Sequence, residues 1–451
     1  MRAQANFSKV QCQWQLMMHL VARVVLLYRL LKMPIDVLCI GTGEYTTGYG
    51  LNSAKTDKSA GVVMLALFDL RARGLVRAIH LAGTTGAKFP AIRAHMAAKI
   101  GAAYPGSAFD LSCCTYPADA AAPDPLAYRA ALAALPRGSA VLIFTPDDTH
   151  FALAQDALAA GMHVLLTKPL VLTLAEHCAL RDAAAAGGVL CCGEFHKRWD
   201  PMYADARERL RRLGDLSFFT AFMSQPKIQL DTFAAWAGKS SDISFYLNSH
   251  HIDVCEWVMA GRGRPLTVTA AAATGVAEAR LGRPCEDTIS LTVVWENLPS
   301  RARGVATYVA SWVASPGDVH SQQRFFAMMR DGEVTCDQAH RGFSTATEAA
   351  GYASPNPLYM RYTPDARGRF AGQLGYGYRS IEDFVRAAEE CAAGRAGPGD
   401  YEAVLATAAG TLQGTAILEA GRRSLDAGGR AVRILYAGGE GGDSQEPTGL
   451  E

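Results

Sequence analysis

No sign of charge dominates this 451-residue chain: 44 lysines and arginines face 43 aspartates and glutamates, for a net charge of +1. With no basic patch and no basic helix interleaved with aromatics, the electrostatic footprint for nucleic acid is missing, and nucleic-acid partners are not expected. A metal-binding cysteine pattern is missing too. The 11 cysteines include the adjacent pairs Cys113-Cys114 and Cys191-Cys192 but no CxxC spacing, so no zinc or other metal site is expected. Their odd count, without a disulfide-style framework, points to reduced thiols, a reducing compartment and a cytoplasmic location. The apolar stretch Leu16 to Leu31 is interrupted by His19, Arg23 and Arg29 and is short for a membrane span, so no membrane partner is expected. Acidic residues are absent from positions 1–32, which carry Arg2, Lys9, Arg23, Arg29 and Lys32. That segment reads equally as an organelle-targeting peptide, a disordered extension or an over-extended start.

What is present supports two cores, since 49% of the residues are apolar. Ile35 to Ile40 reads as a buried strand running into Gly41-Thr42-Gly43-Glu44-Tyr45-Thr46-Thr47-Gly48, half of a dinucleotide fingerprint with its third glycine displaced. In such a loop the first glycine permits the tight turn and the second lets backbone approach a pyrophosphate, which makes Gly41, Gly43, Glu44 and Tyr45 candidate cofactor contacts. A helical pattern, Val62 to Phe68, follows within an insertion-like region over 49–74. The second strand, Val76 to Ala82, ends in Gly83-Thr84-Thr85-Gly86-Ala87-Lys88 with no acidic residue to grip ribose hydroxyls. Small hydroxyls plus a cation suit a 2′-phosphate, so NADP is the expected cofactor, with NAD as the alternative; Thr84, Thr85 and Lys88 are candidate contacts, ahead of Arg93.

Ala140 to Phe144 is a further buried strand, ending in Thr145-Pro146-Asp147-Asp148-Thr149-His150 before a helical pattern to Ala160; after Gly161, Met162 to Leu166 is the next strand. Strand, helix, strand predicts a right-handed parallel crossover, with ligands outside the carboxyl ends of the strands. Thr145, Pro146, His150, Lys168 and Pro169 lie at those ends. A lysine at the tip of an apolar strand faces a ligand, a carboxylate or a cleft, or else simply caps a surface strand.

These segments, with Ala159 to Val164, Lys168-Pro169, Phe195 to Pro201, His250 to Asp253, and Ala416 to Ser424 followed by Gly428 and Val432, resemble the glucose-fructose oxidoreductase and inositol dehydrogenase family (Gfo/Idh/MocA) over roughly residues 34–434. The resemblance implies an α/β chain: an N-terminal Rossmann doubly wound parallel sheet over 33–170, then an α/β domain over 171–436 with a large open, mostly antiparallel sheet. Thr267 to Ala270, Asp287 to Trp295 and Gly304 to Val309 read as strands of that sheet, and Leu405 to Leu425 as a long last helix packing back on the Rossmann domain. Residues 437–451, Gly-rich and acidic, are expected to be a disordered tail. By analogy the sheet makes a homo-oligomer contact.

The implied chemistry is hydride transfer, with Lys168 and His250 handling the proton. Adjacent helical positions diverge, so only one of His250 and His251 can face the cleft. The chain departs from the usual family pattern at two positions, where Thr167 and Tyr246 stand in place of carboxylates; Tyr246 is the candidate substitute donor. Met223 to Lys227, Ala235 to Lys239, Ser241 to Asp253 and Phe89 to Arg93 are similar to the D-galacturonate reductases of this family. That resemblance implies NAD(P)H-dependent reduction of a uronic-acid aldehyde, D-galacturonate to L-galactonate, on a small-molecule sugar-acid substrate. Lys197, Arg198 and Lys227 are the cations available for its carboxylate, and Asn248 and His251 complete the candidate substrate contacts; Arg198 has the alternative of holding the domain interface. Dehydrogenation of another sugar or polyol, a glycosidase using tightly held NAD, and a non-catalytic NADP sensor are the competing readings.

Overall fold

The computed structural model describes residues 34–50, 60–104, 109–349, 351–359, 374–439 and 442–451, together with 107, 366 and 372. The expectations for residues 1–32 therefore lie outside the described residues, as does most of the segment between the glycine loop and the helix that follows it.

The first layer is a six-stranded sheet built from β1 (Ile35–Ile40), β2 (Val76–Ala82), β3 (Cys114–Tyr116), β4 (Ala140–Ile143), β5 (His163–Thr167) and β6 (Cys191–Glu194). All its pairs are parallel and the order is β3-β2-β1-β4-β5-β6. Every residue of β1 and β4 is buried because helices cover both faces. Val37, Cys39, Ala140 and Leu142 face the helices Val63–Ala72, Phe89–Ala103 and Tyr376–Ala392. Leu38, Ile40, Val141 and Ile143 face Ala127–Ala134, His150–Ala159 and Leu174–Gly187. Strand order reverses between β1 and β4, and a crevice opens at the carboxyl ends of the strands at such a point.

The second layer is an eight-stranded sheet of β7 (Leu216–Pro226), β8 (Gly263–Thr274), β9 (Glu286–Asn297), β10 (Arg303–Ala314), β11 (Gln322–Met329), β12 (Gly332–Asp337), β15 (Val432–Tyr436) and β16 (Pro447–Leu450), ordered β12-β11-β7-β10-β9-β8-β15-β16. The strands β13 (Thr345–Thr347) and β14 (Gly351–Ala353) form a separate hairpin. Only β7 and β10 run parallel; the other pairs are antiparallel. Burial alternates along β9 and much of β10, as a sheet with one covered face requires. That face carries Trp295, Tyr308 and Trp312 into a core shared with the helices Pro201–Leu210, Ser249–Met259 and Leu412–Asp426.

Three expectations are corrected. The end of the chain is not a disordered tail throughout: Pro447–Leu450 pairs with β15, because a free edge strand offers unpaired backbone groups that composition does not reveal. The last helix begins at Leu412 rather than Leu405, after the short turn Ala409–Thr411. It packs on the second sheet and on the helix Leu174–Gly187, where Glu419 Oε2 accepts from the Leu174 N–H at 2.6 Å. The helix that returns to the face of the first sheet is Tyr376–Ala392, through Tyr378, Ile381, Phe384 and Val385.

Candidate functional site

Polar groups gather where the parallel strands stop pairing. After β1, Gly41 takes φ 114°, and a Cβ there would lie 2.1 Å from the Phe144 carbonyl oxygen, so the loop passes the end of β4 at a distance only glycine allows. At Gly43 a Cβ would meet nothing within 4 Å. These residues open onto a cavity of about 910 Å³ that runs between the two sheets. Gly41, Gly43, Glu44, Tyr45, Thr84, Thr145 and Pro146 line its nucleotide-sheet side, with Lys168 at the end of β5. Gln225 from β7, Gln323 from β11, Tyr246 and His250 line the other.

Lys168 is held by Tyr246. Its Nζ donates to the Tyr246 carbonyl oxygen and lies 3.9 Å from the centroid of the Tyr246 ring. Tyr246 sits in a π-helical turn, Ser244–Asn248, which Asp242 starts by accepting from the N–H groups of Ser244 and Phe245 at 2.8 and 3.0 Å. Gln225 Nε2 donates to the Tyr246 hydroxyl at 3.4 Å. The turn runs into the helix Ser249–Met259, which carries His250 to the cavity. Burial, then the charges of Lys168, His196, Lys197 and His251, hold His250 well below its ordinary range, so the imidazole is neutral at physiological pH. Its Nδ1 is buried without a hydrogen-bond partner.

Several candidate residues lie elsewhere. His251 turns into the core and meets the Tyr203 hydroxyl at 3.0 Å. Asn248 donates to Ser244 Oγ and to the Ile289 carbonyl, spending its amide on the fold. His150 is fully buried and bonds the carbonyls of Thr145, Pro169 and Leu170, so it ties the ends of β4 and β5 together and Pro169 stands behind the wall. Arg198 forms a buried fork on Asp253 at 2.6 and 3.0 Å, its charge spent between the layers. Lys227 is exposed and outside the cavity, as are Lys88 and, half-buried, Thr85. Arg93 is forked onto Asp119.

Lys197 stands one layer behind the cavity. It is 1% exposed, and its Nζ donates to Gln323 Oε1 and, at 3.1 Å, to Gln338 Oε1. Burial pushes its ammonium down to about 7, with Asp200 pulling the other way. Its effect on the cavity is indirect: it occupies the side-chain oxygen of Gln323, which lines the cavity.

The sequence reading did not single out Glu194, His196, Gln225, Gln323 or Tyr376, all of which line the cavity. Glu194 carried a usable signal, because it is a charged residue ending a short apolar strand, the pattern that drew attention to Lys168. Its Oε2 lies 3.0 Å from His196 Nδ1, and its Oε1 accepts from Ser380 Oγ at 2.6 Å.

Residues 82–195 match the Gfo/Idh/MocA family, described as "Oxidoreductase family, NAD-binding Rossmann fold". The chain is similar to an uncharacterized oxidoreductase, YdgJ, of Escherichia coli (strain K12), 32% identical over 116 residues that cover 25% of this chain and 34% of that protein. It is also similar to a scyllo-inositol 2-dehydrogenase (NAD(+)) of Bacillus subtilis (strain 168), 39% identical over 71 residues, 16% of this chain and 21% of that protein. The aligned stretches thus span 34% and 21% of these relatives. Over its length the fold is similar to the crystal structure of an inositol dehydrogenase homolog from Azotobacter vinelandii complexed with NADH and myo-inositol, with a TM-score of 0.61, 18% identity, and coverage of 89% of this chain and 98% of that one.

Proposed function

We propose that this chain, a Gfo/Idh/MocA family oxidoreductase by the match over residues 82–195, is an NAD(P)H-dependent reductase of the aldehyde of a uronic acid, with D-galacturonate as the expected substrate. The observation that carries the reading is that Lys168, at the end of β5, shares one cavity with the glycine loop and with His250. A nicotinamide dinucleotide fits the residues present: the approach at Gly41 tolerates no side chain, Gly43 leaves open space, and the groove continues past Thr145 to Lys168. When bound, that cofactor supplies the hydride.

The protein's own residues orient the carbonyl and manage charge. The Lys168 ammonium donates to the substrate oxygen as negative charge grows on it, and the Tyr246 ring and carbonyl hold it in place. Neutral His250 hydrogen-bonds the substrate. Thr84 just beyond β2, where among the described residues the strand end presents no acidic side chain to the cavity, favours NADP over NAD, and Lys88 stands on the adjoining turn. A face of the second sheet exposing Phe222, Val305 and Met328 suits a homo-oligomer.

A second reading, a neutral polyol as substrate, is favoured by one observation. Among the described residues the cavity holds no arginine and only Lys168 as an aliphatic cation, while Gln225, Gln323 and Asn356 offer neutral amides. A panel of D-galacturonate and D-glucuronate with NADPH and NADH, and of myo-inositol with NADP+ and NAD+, followed at the nicotinamide absorbance, separates the two. We expect galacturonate with NADPH to lead, and Lys168→Met to lose at least about 100-fold in kcat while NADPH binding holds within about threefold. Preference for inositol selects the second reading; full activity in Lys168→Met rejects the mechanism.

A further inference from the structure

We propose that Glu194 and His196 form the proton-supplying pair of this site, with His196 carrying the proton that the reaction consumes and Glu194 fixing its tautomer; the inference rests on the reductase reading above. Both side chains line the cavity. In register, Glu194 pairs with Thr167, so a carboxylate stands on the neighbouring strand beside the residue that precedes Lys168. The carboxylate is 2% exposed, and its hydrogen-bond partners are the Ser380 hydroxyl and His196 Nδ1, at 2.6 and 3.0 Å. A buried carboxylate held by two donors places the ring hydrogen on Nδ1 and leaves Nε2 as the exchangeable nitrogen.

The His196 ring is packed between His250 and Tyr376, with centroids 5.0 and 5.5 Å away. Charged and titratable groups approach it from every side: Glu194 from β6, Lys197 from its own turn, His250 and Asp253 from the helix Ser249–Met259, Tyr376 from the helix Tyr376–Ala392, and Lys168 beyond His250. His250 is kept neutral by burial and by Lys168 and does not carry a proton as a cation near pH 7. Among the described residues, His196 Nδ1 meets a carboxylate oxygen, whereas His250 Nδ1 is buried without a hydrogen-bond partner.

In the reduction, the aldehyde carbon gains hydride from the cofactor, and the carbonyl pair moves onto oxygen, which is neutralised by one proton. That proton leaves the His196 imidazolium and is replaced from water. Because the reduction consumes a proton, its rate is expected to fall as pH rises.

The test compares the full-length wild type with Glu194→Gln, His196→Gln and Ser380→Ala. It follows kcat and KM against pH, the His196 ring-proton resonance by NMR, NADPH binding by fluorescence, and the thermal midpoint. We expect the falling limb of kcat in Glu194→Gln to move to lower pH by about one unit, the His196 resonance to move in the same sense, and NADPH affinity to stay within about threefold. His196→Gln should abolish the limb. A Glu194→Gln variant with an unmoved limb overturns the pair, and so does one whose only change is a lowered thermal midpoint matched by Ser380→Ala, which marks bracing of the helix Tyr376–Ala392. A wild type that reduces no sugar while His196 still responds to Glu194→Gln overturns the reaction instead, and the two failures are thereby told apart.

Discussion

One tyrosine secures the central lysine in two ways, through its carbonyl oxygen and through its ring face 3.9 Å from Nζ. The carbonyl contact survives any substitution that keeps the π turn; the ring contact does not. Tyr246→Phe retains both and loses only the hydroxyl that accepts from Gln225, whereas Tyr246→Leu also loses the cation–π attraction. A desolvated contact of that kind is worth about 1–2 kcal/mol. We expect Tyr246→Phe to keep kcat within about threefold and Tyr246→Leu to lose roughly 5- to 30-fold, measured with the same substrate and cofactor. Equal losses in both would place the function in the hydroxyl. That Lys168, Tyr246 and His250 line one cavity was legible from a strand end and from the positions that the family resemblance matched on one helical segment. The fate of Lys197 was not, since nothing in its neighbourhood says that it is sealed behind Gln323; for Arg198 the domain interface was the alternative reading, but not its partner 55 positions away.

The helix Tyr376–Ala392 joins the first sheet from a distant part of the chain, and its anchor is electrostatic as well as apolar. Glu382 accepts from Arg73 at 2.9 Å through each oxygen and from Arg386 Nη2 at 2.6 Å. Burial pushes this carboxyl up, but the bonds and charges of Arg73 and Arg386 outweigh it and hold it at about 2, below the ordinary 4.5. A carboxyl depressed in the folded state contributes stability fully above its unfolded value and loses it as pH falls through the folded one. The stabilisation should therefore be intact above pH 4.5 and disappear toward pH 2. Partial exposure of both arginines keeps the contribution on the order of 1–2 kcal/mol. Urea unfolding at pH 7 and pH 3 should show a smaller pH dependence in Glu382→Gln than in the wild type; identical slopes would remove the pair from the account. Four strands of the first sheet, β1, β2, β4 and β5, followed from runs and breaks near one another in the chain. This helix did not, because an amphipathic face shows that something is covered without showing which sheet covers it.

The two layers meet where the functional side chains do. Arg198 lies two residues beyond His196 on the turn leaving β6, and Asp253 lies three beyond His250 on the helix of the second layer; their fork, 4% and 2% exposed, sets the spacing of the cavity walls. Arg198 also reaches the Leu405 carbonyl at 3.5 Å. Two cores were foreseeable from apolar content and strand patterns, but their junction depends on residues 198, 253 and 405, which no short-range pattern links. Burial raises the Asp253 carboxyl while Arg198 draws it down, so ionising it is costly and the guanidinium is what makes the charge tolerable. Removing one partner leaves an unpaired buried charge, for which about 3–5 kcal/mol is expected. Replacing both by apolar groups of similar volume removes that penalty. We therefore expect Arg198→Met to lower the denaturant midpoint sharply and the double variant Arg198→Met, Asp253→Leu to recover most of it. Activity should not recover with stability, because an apolar contact lacks the fork's directional hold on the turn bearing His196 and the helix bearing His250. Measuring kcat and unfolding on the same samples decides the point: a double variant that regains both would mean that packing alone sets the walls of the cleft.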